Sequence, residues 1–148
     1  MKKLNFSTNI NASKEIVWQS LWDGANYPTW TSVFSEGSHV ITDGWKEGTK
    51  VLFLDGKGCG MVSTVAANKV NQYMSFTHLG MVDDGKEDTS SEKVKEFAGA
   101  TETYTLNEAG GVTSLTVEVD ITDEHAEYFT KTFPVALEKV KSLSENNN

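Results

Sequence analysis

The chain has 148 residues, with 13 basic side chains against 21 acidic ones and a formal net charge of −8. That balance, with no basic cluster beyond two adjacent lysines, argues against nucleic acid or an anionic membrane surface as a partner. A single cysteine, Cys59, excludes an internal disulfide and suits a reducing, cytoplasmic setting.

The length fits one domain, 1–148, with a real core. Met1-Lys2-Lys3-Leu4 starts like a signal peptide, but alternation with Asn9 and Asn11 follows in place of an apolar run. No stretch approaches the roughly 20 apolar residues of a membrane span. Residues 3–10 alternate, Leu4, Phe6, Thr8 and Ile10 on one side, and read as a half-buried strand. Ser13 is the expected N-cap of a helix over 14–23, with Ile16, Val17, Ser20 and Leu21 inward and Gly24 at its end. Asn26-Tyr27-Pro28 opens a second short helical piece carrying Trp30, Val33 and Phe34.

From Gly37 the pattern is strand and turn. Strands are expected over 38–42, 50–54, 58–67 and 72–81, with Asp55-Gly56 as a hairpin signal. Gly58 and Gly60 mark a bend or a close backbone approach. Residues 81–99 break the rhythm with a polar, charged run that has room for one short helix over 91–97. Two more strands follow, 100–107 and 112–121, the last with Leu115, Val117, Val119 and Ile121 facing one way.

Residues 122–143 form the largest apolar surface. Ala126, Phe129, Phe133, Leu137 and Val140 recur at helical spacing, and burying the last four contributes roughly 6–12 kcal/mol gross. Pro134 interrupts the run, and because the stripe keeps its phase we expect one kinked helix and not two. Acids crowd its first turn and lysines its last part, as the helix dipole prefers. Asn146-Asn147-Asn148 reads as a frayed end. The order is α+β, about seven antiparallel strands that must bury one apolar face against the C-terminal helix.

Five blocks in this order carry a resemblance. They are Ala12-Ser13-Lys14-Glu15-Ile16-Val17-Trp18, Tyr27-Pro28-Thr29-Trp30, Gly44-Trp45-Lys46-Glu47-Gly48, Tyr73-Met74-Ser75-Phe76-Thr77-His78-Leu79-Gly80 and Phe133-Pro134-Val135-Ala136-Leu137-Glu138-Lys139-Val140-Lys141. Together they span most of the chain, which resembles the SRPBCC superfamily of START-like, birch-pollen-allergen-like helix-grip proteins. Within it the chain is similar to the branch of activators of the 90-kDa heat-shock chaperone ATPase. The resemblance implies a curved sheet gripping the C-terminal helix, with an apolar ligand commonly held between them. Fold resemblance does not by itself fix function.

Strand parity and the helix stripe nominate Trp45, Phe53, Met61, Phe76, His78, Tyr104, Phe129 and Phe133 as the lining of such a cavity. His78 is either a hydrogen-bonding group for a ligand or a core histidine satisfied by a neighbour. Glu102 and Tyr104 share a strand face and offer a proton-handling pair if the chain is an enzyme of the cyclase or hydrolase kind. No spacing links His39, His78 and His125 as metal ligands, and no glycine pattern cradles a phosphate, so neither metal nor cofactor is expected. The first expectation is a domain that holds an apolar or aromatic small molecule. The resemblance adds a second, a protein-interaction module whose partner is a chaperone, or a homo-oligomer.

Overall fold

The computed structural model describes residues 1–146; Asn147 and Asn148, in the run read as frayed, lie outside the described residues. The elements run β1 (Lys2–Ile10), α1 (Lys14–Trp22), α2 (Asn26–Thr31), β2 (His39–Thr42), β3 (Lys50–Leu54), β4 (Gly60–Lys69), β5 (Tyr73–Asp83), β6 (Lys86–Asp88), α3 (Glu92–Lys95), β7 (Thr101–Ala109), β8 (Val112–Ile121) and α4 (Asp123–Asn146). Seven strands pair antiparallel in the order β1-β8-β7-β5-β4-β3-β2, and the short β6 folds back on β5 off that path. Sequence reading lacks β6, because Lys86-Glu87-Asp88 has no apolar alternation to reveal it.

Local signals explain the helices. Ser13 Oγ accepts from the Ile16 N–H at 3.3 Å and starts α1; Ser91 Oγ accepts from the Val94 N–H at 3.4 Å and starts α3. α4 runs unbroken through Pro134, which lies on its exposed side, and Ala126, Phe133, Ala136, Leu137, Val140 and Ser144 are its buried stripe. It extends past Lys141 to Asn146, so its last turn carries no basic residue and the expected lysine complement falls short of the end. Glu145 ties that end down instead, accepting from the Asn11 N–H at 3.0 Å and from Lys141 at 2.6 Å.

The inner sheet face, α1, α2 and α4 enclose the core. Phe6 of β1 stacks on Phe133 of α4 with centroids 4.9 Å apart. Ser144 Oγ donates to Ser20 Oγ at 2.9 Å and joins α4 to α1. At one end Trp22 is the hub, its ring 4.9 Å from Tyr104, 5.0 Å from Trp45 and 5.6 Å from Phe76.

Two irregularities shape the sheet. Along β4 and β5 the pairing passes from Val62–Gly80 to Ser63–His78, which leaves Leu79 as an extra residue. Inward orientation therefore jumps from His78 to Met81 instead of Gly80. Gly60 fulfils the expected close approach: a Cβ there would lie 1.7 Å from the Phe53 carbonyl oxygen.

Candidate functional site

A cleft of about 590 Å³ lies between the inner sheet face and the first half of α4. Its sheet wall comes from β3, β4, β5, β7 and β8, through Phe53, Met61, His78, Met81, Glu102, Tyr104 and Val119. Tyr27 and Trp30 of α2, then Phe34, close one side; Phe129 and Phe133 of α4 and Phe97 after α3 close the others. Tyr128, outside the lining, donates to the Phe34 carbonyl at 2.6 Å and pins the start of α4 to the segment after α2.

Of the eight residues nominated from sequence, Phe53, Met61, His78, Tyr104, Phe129 and Phe133 border this cleft. Phe76 and Trp45 do not. Phe76 is fully buried beneath Tyr104 and Trp22. Trp45 has a left-handed backbone, φ 61°, unusual for a bulky residue, and three hydrogen bonds hold it there. Its N–H donates to Thr42 Oγ1, its Nε1 to the Trp22 carbonyl at 3.1 Å, and its own carbonyl accepts from Asn68 at 2.9 Å. The ring bolts the β2–β3 turn to α1 instead of guarding an entrance.

One polar network reaches the cleft from the sheet. Ser63 Oγ lies 2.6 Å from His78 Nδ1, His78 Nε2 lies 3.1 Å from Glu102 Oε1, and the Tyr104 hydroxyl donates to Glu102 Oε2. Glu102 thus meets Tyr104 through one oxygen and His78 through the other, and Ser63 holds the far nitrogen of the imidazole. Burial, and then the charge of Glu102, hold the phenols of Tyr104 and Tyr27 well above their usual range near 10.0. Both remain neutral donors at physiological pH.

A serine, a histidine and an acid in line suggest a hydrolase, and accessibility argues otherwise. Ser63 is fully buried and lies outside the lining, so no carbonyl in the cleft can reach its oxygen. Sequence reading misses Ser63 as a partner of His78 because the Leu79 bulge shifts the register by one. Met81 is missed for the same reason, while Val119 lies on the inner face already read for β8.

At the rim, Asp55 accepts from the N–H groups of Cys59 and Lys57, which hold its carboxyl below the usual range. Asp120 accepts from Thr101 and pairs with Lys3 at 2.9 Å. Burial alone would raise its pKa, and these partners together bring it below the usual value. Among the described residues no group of three or more His, Cys, Asp or Glu side chains gathers to hold a metal. Nor is any described helix long and apolar enough to cross a membrane.

This architecture, a curved antiparallel sheet closed on a long C-terminal helix, is a helix-grip fold. No family model matches the chain, and no curated protein matches its sequence. Solved structures do. The Aha1 dimer from Colwellia psychrerythraea is 19% identical with a TM-score of 0.70, over 98% of this chain and 97% of that one. Protein MLL2253 from Mesorhizobium loti is 16% identical with a TM-score of 0.74, over 99% of each chain. DynU16, from the dynemicin biosynthetic locus, is 12% identical with a TM-score of 0.71; all of this chain is covered, but it spans only 49% of that one. At such identities the likeness establishes the fold alone.

Proposed function

We propose that the chain is a small-molecule-binding domain that takes an apolar or aromatic ligand between the sheet and the first half of α4. The observation that carries this reading is the cleft itself. Its size, about 590 Å³, falls within the roughly 300–1,000 Å³ of ligand pockets. Its walls are mainly aromatic and aliphatic, with a few polar groups converging at Glu102, the usual make-up of a site that binds by burial and orients by hydrogen bonds. Native mass spectrometry of freshly purified protein tests it: a retained small molecule, lost in Val119→Trp, is the expected result. Free protein that also binds no apolar fluorophore would count against the reading.

The alternative of a chaperone-directed interaction module draws on the likeness to the Aha1 dimer. It calls for exposed apolar surface on the outer sheet or on segment 81–99, and on the strands Ile41, Leu79 and Val112 are exposed. Among the described residues that segment exposes no large apolar side chain, since Val82 and Val94 are buried and Met81 and Phe97 border the cleft. A pull-down with purified chaperone tests this second reading.

A further inference from the structure

The cleft's charge is as one-sided as its walls are apolar. Resting on the binding role proposed above, we propose that its ligand is an organic cation, a protonated amine carried on an aromatic or apolar body, received by the Glu102 carboxylate.

Glu102 has capacity to spare. A carboxylate offers about four acceptor sites, and the His78 and Tyr104 bonds occupy one on each oxygen. Its side chain is 24% exposed and borders the cleft, so a ligand donor can reach the remaining sites. Its two partners orient it, the Tyr104 phenol at one oxygen and the His78 imidazole at the other. Among the described residues no lysine forms an ion pair with it.

The surroundings have the same sign. Asp55, Glu96, Glu102 and Glu124 are acidic residues bordering the cleft, against a single lysine, Lys93, and the histidines His78 and His125; Asp120 also borders it, with its carboxylate held on the outer face by Thr101 and Lys3. Lys3 offsets Asp120 from outside the lining. A low-dielectric cleft lined mainly by one sign of charge focuses its field on ions of the other sign.

An anionic ligand would meet the opposite difficulty. All 13 basic residues of the chain are lysines, so the planar guanidinium fork that grips carboxylates and phosphates in two places is absent. Aromatic rings complete the argument: Tyr27, Trp30, Phe53 and Phe129 line the same cleft as Glu102, and such rings attract cations when water is excluded.

The test uses one ring system with four substituents, read by anthracene fluorescence anisotropy on the full chain at neutral pH and low salt. Aminomethylanthracene should bind about tenfold tighter than hydroxymethylanthracene, with anthracene carboxylate the weakest. Glu102→Gln should shrink the amine–alcohol gap below about twofold. A carboxylate probe that binds as tightly as the amine would overturn the charge preference while leaving the binding role standing. So would an amine preference that survives Glu102→Gln. If none of the four binds, methylanthracene included, the binding role itself fails and this inference with it. The probe ranking is read on the unmodified chain, so it decides even where Glu102→Gln unfolds.

Discussion

The two ends of the sheet–helix sandwich are built from the same residue types and come out differently. At one end Trp22, Trp45, Phe76 and Tyr104 interlock, and α1 and the second half of α4 seal them with Leu21, Leu137 and Val140, each 2% exposed or less. At the other, Phe53, Met61, Phe129 and Phe133 face one another across open space. Alternation on the strands is alike in both halves. What differs is the cover: α1 lies over the first, while the short α2 and α3, their flanking loops and the first half of α4 border the second. A sandwich of this kind becomes solid or hollow according to how many helical turns reach each end.

Truncating the same ring at each end tests that contrast most severely. Phe76→Ala should cost about 3–5 kcal/mol, since a fully buried phenyl leaves a void its neighbours cannot fill. Gly60→Ala comes next, at about 3 kcal/mol, because the added methyl meets the Phe53 carbonyl and the two strands must part. Phe129→Ala, on the open side, should cost only about 1 kcal/mol and should change ligand affinity more than stability. Urea denaturation at one pH measures all three. Equal losses for Phe76→Ala and Phe129→Ala would mean that the two ends are not distinct.

The smallest effect concerns pH. Tyr27 and Tyr104 titrate above 10.0 in the folded chain and near it when unfolded, so their contribution is complete below pH 10 and declines as pH rises beyond it. Urea midpoints at mildly and strongly alkaline pH should therefore fall less in the Tyr27→Phe, Tyr104→Phe double variant than in the parent.

Most of the architecture was legible in the pattern of apolar residues. Ser13, the stripe from Ala126 to Val140 and the parity of β8 act locally, and local signals survive in a sequence. The site was only half legible. His78, Glu102 and Tyr104 were found because they share a face with their neighbours, whereas Ser63 and Met81 depend on the bulge, a long-range property of two paired strands. Trp45 misled because tryptophan beside a glycine turn reads as a ring on a loop. Its left-handed backbone and its bond to Trp22 send it inward.

The surplus residue at Leu79 has a developmental meaning for the sheet. It lets one strand serve two masters, with its first stretch feeding the solid core through Met74 and Phe76 and its last stretch lending His78 and Met81 to the open wall. Deleting that single position would remove the bulge and leave each segment facing as it does now, with Met81 still inward. Straightening the strand at its present length would instead turn Gly80 and Val82 toward the hollow in place of Met81, without altering a single helix.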